Sequence, residues 1–419
     1  MFAGYLILFS WLVTKVKFFT NAGLTKPQLV IVFLLKVMAG IIYGWIGVYY
    51  GEMAKMVDTW AYHYQSLSEY NLLKSDPIRF FTSVFHNPYP DGYTRFLSEQ
   101  SWWNDLKGNL FIKFLALLDL FTFGHYYINV VVFSFLSLFG PVAIYRVMQD
   151  VFPAKKLAVL LATFLIPSFI YWMSGLHKDG LIFLGIALLC YHIYFGFREK
   201  KFSFGRIAII FFSLTLVIGL RNFFLVPLVP ALVAWVLAEK TRYRPIYVFS
   251  AVYLLFIVLF FSAKYIHPRL DLPAAVAEKQ QAFLSLGGSS SVHMRELEPT
   301  FTGFLSNFPQ AISLSALRPS PTDVKHLLSL AASLEINFLL LLFLVFLFWK
   351  KNGTTTRGFL LFCIFFGFSL LLMIGYTVPN IGAVVRYRSI VLPFLIVPVV
   401  AQIDWRRIGK TFFQDIEKK

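Results

Sequence analysis

Charge is what this chain of 419 residues has least of. Only 14% is Asp, Glu, Lys or Arg, against about a quarter in a soluble domain. Acid is scarcest, with 21 Asp and Glu facing 38 Lys and Arg. The two cysteines, Cys190 and Cys363, both fall inside apolar runs, which argues against a disulfide framework and leaves the redox compartment unread. No GxxxxGK[ST] loop, H-E-x-x-H pair or CxxC pair occurs, so nothing supports an ATP-driven pump or a zinc protease. Period-two alternation is missing too: the apolar runs are continuous, which rejects a membrane β-barrel. No internal repeat is visible, which weakens a transporter built from inverted repeats. The first residues, "MFAGYLILFSWLVTKVKFF", lack a basic n-region and a small-residue cleavage site, and read as a retained first helix rather than a signal peptide.

Apolar sequence is plentiful instead. The chain is 58% hydrophobic, with a mean hydropathy of +0.69, and a run of about 20 apolar residues spans a bilayer. The expected fold is an all-α polytopic transmembrane bundle, a single integral membrane domain over residues 1–419. About eleven spans are expected, within a range of about 10–13: 1–14, 27–50, 125–147, 157–176, 179–197, 206–221, 222–238, 245–263, 326–348, 358–377 and 389–404. The formal net charge of +17 would suit a nucleic-acid partner, but much of it lies in short loops beside apolar runs. Attraction to anionic headgroups and the positive-inside bias account for it, and no nucleic acid is expected. These loops carry, among others, Lys15 and Lys17, Arg146 and Lys155, Arg198 and Arg206, Lys240 and Arg244, Lys350 and Lys351, and Arg406 and Lys410. They fall at every second connection, which puts them in the cytoplasm, the N-terminus outside and the C-terminus inside. The opposite side then holds two long loops, 51–124 and 264–325, where interfacial or re-entrant helices are expected. The piece "NLFIKFLALLDLFTFG", with Lys113 and Asp119, is expected along the outer membrane surface.

The stretch "PSFIYWMSGLHKDGLIFLGIALL" is almost wholly apolar, yet carries His177, Lys178 and Asp179 in its middle. Ionisable residues at membrane depth are costly and mark function by default. The stretch reads as a helical hairpin whose tip reaches the outer interface. Sorted by expected side, other polar residues join this tip: Asp58, Tyr62 and His63 in "VDTWAYHYQS", Arg221 in "GLRN", Arg386 and Arg388 in "VVRYRSIVLP", and Glu335 inside its span. A carboxylate within hydrogen-bond reach takes a proton from an attacking hydroxyl, and guanidinium groups grip phosphate oxygens in pairs. Asp58 is the leading candidate base, with Glu335 and Asp179 next. Tyr62, His63, His177, Lys178, Arg221, Arg386 and Arg388 are the candidate substrate-binding set. Each has a plainer reading: Asp179 as a helix cap, Glu335 as a buried hydrogen-bonded strut, Arg388 as an interfacial anchor, Lys36 as a snorkelling lysine. No metal-ligating spacing is present. A Mg²⁺ or Mn²⁺ ion bridging a carboxylate and a diphosphate is compatible with these residues, but nothing requires one.

Three motifs carry a resemblance: "D-T-x-x-Y" at Asp58, the "PSFIYWMSGLHKDG" hairpin, and "RYRSIVLPFLIVP" at the last span. Here the chain resembles bacterial polytopic glycosyltransferases of the GT-C superfamily and the related polysaccharide polymerases of the Wzy and EpsG type. The resemblance implies a catalytic acid in the first outer loop, at Asp58, and a donor-phosphate contact at Arg386 and Arg388. "MVDTWA" has one acid where the GT-C loop often has two, and "SGLHKDG" leans towards the polymerases. The implied protein is a bacterial inner-membrane enzyme. It would move a sugar or oligosaccharide from a polyprenyl-phosphate or diphosphate donor to a glycan, lipid or protein acceptor at the outer face. The alternative is a non-enzymatic transporter or flippase of lipid-linked glycans, and a purely structural scaffold stands third.

Overall fold

The computed structural model describes residues 1–49, 58–287, 290–350 and 357–408; Lys351 and Lys410 of the basic loops lie outside them. Among the described residues, every named element is helical. The protein is an all-helical integral membrane protein with seven helices long and apolar enough to cross a bilayer, or eight if one bent pair is a single span.

The difference from about eleven has local causes. Residues 1–14 form an 11-residue helix, Phe2–Leu12, shorter than the run of about 20 residues that marks a span. Residues 157–176 form two short helices, Lys156–Phe164 and Pro167–Trp172, because Pro167 has no N–H to continue the first. The last span is a broken pair, Ile381–Ser389 and Leu392–Gln402, bent by 64°. By length and composition alone, Phe204–Lys240 is one 37-residue helix, about 55 Å if straight. Its contacts contradict a straight course. Arg221, near its middle, pairs with Asp179 at the start of Lys178–Arg198. Trp235, well past the middle, shares the ring of Phe359 with Tyr194, near that helix's other end (5.2 and 5.4 Å). The chain therefore turns back at Arg221, whose φ of −162° and ψ of 74° are not helical. Phe204–Arg221 packs on Lys178–Arg198, and Leu225–Lys240 returns against Arg357–Thr377 and Pro245–Ile266.

These antiparallel runs give the bundle two unlike ends. At one, Arg198 meets Asp150 (3.0 Å), Arg206 meets Glu199 (2.5 Å), Arg146 stacks on Phe18 and Tyr191, and Lys155 donates to the Ile403 carbonyl (3.3 Å). Basic loops gather there. The other end carries His177–Asp179, Arg221 and Arg386, and both long loops cover it. Tyr126–Val151 runs through the middle as the most enclosed long helix, 78% buried over its apolar window.

The first long loop holds two substantial helices, Asp58–Ser75 and Trp102–Thr122. Ser101 caps the second by accepting from Asn104 N–H (3.2 Å), and Phe123 ends it in the left-handed region, followed by Gly124. Lys113 and Asp119 do not face water. Lys113 Nζ donates to Glu69 (2.7 Å), the Phe80 carbonyl (2.6 Å) and Ser83 Oγ (2.9 Å); Asp119 accepts from Ser66 Oγ (2.9 Å) and Asn129 Nδ2 (2.6 Å). The charged side chains expected at the membrane surface instead join these helices to each other and to the bundle, since a buried charge needs partners. The second loop supplies Leu272–Leu286, capped by Asp271, and Phe301–Ile312, capped by Thr300.

Candidate active site

Residues four apart share a helix face, and Asp58–Ser75 uses this twice. Asp58 and Tyr62 face a cavity. Thr59 and His63, one position on, face the bundle. Thr59 Oγ1 bonds Tyr126 Oη (2.7 Å), and His63 packs edge-on to Trp60 and Tyr126. His63, an expected substrate contact, is thus buried among aromatics, and burial lowers its pKa.

The hairpin tip is enclosed by protein. His177 and Asp179 are fully buried and Lys178 is 7% exposed. His177 N-caps the next helix, Nδ1 accepting from Asp179 N–H (3.3 Å). Lys36 was expected to snorkel; instead it is buried and donates to the Met173 carbonyl (2.5 Å) and to Ser174 Oγ (3.3 Å). It holds the C-terminal end of Pro167–Trp172, where a cation suits the helix dipole. Space there is tight: a Cβ on Gly40 would lie 2.7 Å from the Ser174 carbonyl oxygen.

Arg386 joins the separate pieces. Its Nε donates to Asp179 Oδ2 (2.6 Å) and its Nη1 to Asp58 Oδ2 (2.9 Å), while Nη2 lies against the His177 ring. His177 Nδ1 is 3.0 Å from Asp179 Oδ2, and its Nε2 is 3.7 Å from Asp58 Oδ2. Arg221 Nη2 reaches Asp179 Oδ1 at 3.0 Å, and its guanidinium stacks on Tyr387 (4.2 Å). Asp179 is therefore enclosed by two guanidinium groups, whereas the Asp58 side chain stays 54% exposed. The His177 hydrogen bond, then Arg386, hold the Asp58 carboxyl well below the usual carboxylate range against the opposing effect of burial. Burial first, with Asp58 adding, pushes the Tyr62 phenol up to about 12.

The cavity these residues border has a volume of about 460 Å³, within the usual range for a small-molecule site. Asp58, Tyr62, Lys178, Arg221, Arg386 and Tyr387 line its floor. The long loops meet over it: Ser98 Oγ donates to Glu278 (3.0 Å), Lys279 pairs with Glu99, and Asn222 donates to the Phe96 carbonyl. One flank is apolar, from Leu370, Met373, Ile374 and Val378. Two cations not singled out in the sequence, Lys107 and Lys279, also line it. Burial, then the neighbouring Lys279, bring the Lys107 pKa down to about 8. Lys107 lies in "SWWNDLKGN", in the first long loop. Only the fold brings Lys279 to the same place.

Two more expected residues, like His63, lie away from the cavity. Glu335 Oε2 accepts from Ser168 N–H and Oε1 from Ser168 Oγ, both at 2.6 Å, which makes it a buried strut. Arg388, 2% exposed, donates from Nη1 to the Ser315 (2.9 Å) and Arg318 (2.7 Å) carbonyls. Neither lines the cavity. Among the described residues, no group of three or more His, Cys, Asp and Glu is placed to hold a metal ion. Comparison with family models, curated proteins and solved structures finds no match.

Proposed function

We propose that the protein is a glycosyltransferase of the bacterial inner membrane, or a polysaccharide polymerase. It takes a sugar or oligosaccharide from a polyprenyl-phosphate or diphosphate donor at the outer face and passes it to a glycan, lipid or protein acceptor. The observation that carries this reading is one cavity in which an open carboxylate, Asp58, stands beside Lys178, Arg221 and Arg386 and an apolar flank. The cations suit the donor phosphate, and Leu370, Met373 and Ile374 suit the first units of its lipid. In the reaction, the acceptor oxygen bonds to the anomeric carbon and the bond from that carbon to the phosphate oxygen breaks. Its electron pair leaves on the phosphate, and the acceptor proton passes to Asp58. Arg386 holds both Asp58 and, on this reading, the donor. A phosphate that engages Arg386 draws it from Asp58 and raises that carboxylate's basicity as the donor arrives.

The topology that goes with this reading has eleven passes, counting each half of Phe204–Lys240 and each broken or short segment as a crossing. The basic end is cytoplasmic, the N-terminus outside and the C-terminus inside. A flippase would need charged groups leading through both leaflets. The buried Lys36, Glu335 and Arg388 are instead tied to neighbouring protein groups, which supports the enzyme over the transporter.

The test supplies purified protein in lipid discs with a panel of polyprenyl-linked sugars and follows release of the polyprenyl phosphate or diphosphate. Asp58→Asn keeps shape and loses proton acceptance. Its turnover should fall by about two to four orders of magnitude, with donor affinity unchanged or improved because Arg386 is freed. Arg386→Ala should weaken donor binding as well. Full turnover in Asp58→Asn removes Asp58 from the mechanism, and absence of both binding and release across the panel overturns the reading.

A further inference from the structure

The donor reading leaves open whether one phosphate or two link sugar to lipid, and the charges around the cavity bear on that choice. Among Lys, Arg, Asp and Glu, five cations line it (Lys107, Lys178, Arg221, Lys279 and Arg386) against two acids, Asp58 and Glu99. Asp179, directly behind, is paired with Arg221 and Arg386. Three acids against five cations leave an excess of two positive charges.

The pairings locate that excess. Arg386 is matched by Asp58 and Asp179, Arg221 by Asp179, and Lys279 by Glu99, with Lys107 4.0 Å from the same Glu99. Lys178 is the exception. It is 93% buried by its 7% exposure, borders the cavity, and among the described residues has no ion-pair partner, only the Tyr62 ring at 5.8 Å. A charged amine in that position is costly unless something from outside neutralises it. The second surplus cation belongs to Lys107 and Lys279, which share Glu99 on the cavity wall; Asp105 also acts on Lys107 but is outside the lining. Lys107 is near enough to feel Arg221 and Lys279, and Lys178 near enough to feel Lys107, so the two surplus charges belong to one cavity.

We infer that the cavity is built for a dianion, a diphosphate diester, and that Lys178 is the residue that selects it over a phosphate diester. This rests on the donor reading and makes it specific. At neutral pH a diphosphate diester carries two negative charges and matches the excess. A phosphate diester carries one and leaves a buried cation unmatched. One phosphate sits among Arg386, Arg221 and Lys178, and the other extends towards Lys107 and Lys279.

The experiment uses the full chain in lipid discs and a matched pair of synthetic probes, a didecyl diphosphate diester and a didecyl phosphate diester. Their alkyl chains are the same and their charges differ by one. Wild type should bind the diphosphate about ten- to a hundredfold more tightly, the size of one charge-assisted contact. Lys178→Gln should lose most of that preference by weakening the diphosphate alone, and Lys178→Arg should keep it. Dimethyl diphosphate separates the sources: binding as tight as the didecyl form means a free diphosphate site and overturns the lipid-linked assignment. Equal affinity for the two didecyl probes, or preference for the phosphate, overturns the inference and leaves the proposed transfer standing. Failure of both probes overturns the donor reading itself. If Lys178→Gln does not fold, the wild-type preference and Lys107→Gln, which should also weaken the diphosphate selectively, still decide the matter.

Discussion

Arg386 and Arg388 pose the clearest problem at the scale of the residue. They are two apart on the helix Ile381–Ser389, so they point about 200° apart, and only one can face the cavity. "VVRYR" offers both to the eye; which one faces the site depends on how the helix packs. The i, i+4 pair of Asp58 and Tyr62 was legible, because spacing alone gives a shared face. His63 was not, since its buried setting comes from Tyr126 on another helix. Glu335 matches its plainer reading in geometry, as a strut. Glu335→Gln should lower stability by roughly 1–2 kcal/mol through loss of charge-assisted bonds to Ser168, with turnover of the same order. Thermal unfolding alongside transfer rates checks this, and a collapse of turnover at unchanged stability would return Glu335 to the chemistry. Lys107 gives a pH dependence. Its pKa is down to about 8, so it loses its proton as pH rises through that value, and an anionic donor should bind progressively more weakly from pH 7 to 9. Donor dissociation constants at three pH values test this; Lys107→Gln should bind weakly already at pH 7 and flatten the curve.

The helices were easier to find than their breaks. Hydropathy locates apolar runs well, but it does not register a turn such as Arg221 or separate a full crossing from two half-length helices at Pro167. Both hairpins were legible from polar residues inside apolar runs, "GLHKDG" and "GLRN". Their tips were expected at the outer interface, yet His177 to Asp179 are enclosed by protein because other elements fold over them. The tight join at Gly40 tests how far site geometry depends on helix packing. A Cβ there would lie 2.6 Å from Val130 Cγ1 as well as against Ser174, so Gly40→Leu should cost roughly 1–3 kcal/mol by overpacking. It should also displace the turn leading to His177, with turnover falling more than stability alone explains. Gly108, with nothing within 4 Å of its added Cβ, supplies the control: Gly108→Ala should leave turnover unchanged and raise helix stability slightly. Equal effects of the two substitutions on turnover would dissociate the turn from the Gly40 contact.

For the whole molecule, the division into a basic end and a cavity end corresponds to the alternation of Lys and Arg along the sequence. On the proposed topology the exposed Ser75 lies outside and the exposed Ser203 inside. An impermeant maleimide should label Ser75→Cys in intact cells and Ser203→Cys only after permeabilisation; the reverse pattern inverts the orientation. Cys190 and Cys363 are buried and should stay silent. What the sequence could not convey was how its distant parts close on one another: Lys279 reaching Glu99, or Arg386 reaching both Asp58 and the His177–Asp179 tip. That last closure bears on how the protein is made. Arg386 follows Asp179 by 207 residues and Asp58 by 328. At about 5–20 residues per second, translation leaves Asp179 with Arg221 as its only guanidinium partner for about ten seconds or more. The nascent bundle therefore holds Asp58 and one oxygen of Asp179 without their guanidinium partner while its later helices are threaded into the bilayer, and that pairing forms only when the helix Ile381–Ser389 docks as a clasp. Biogenesis and competence end in the same event.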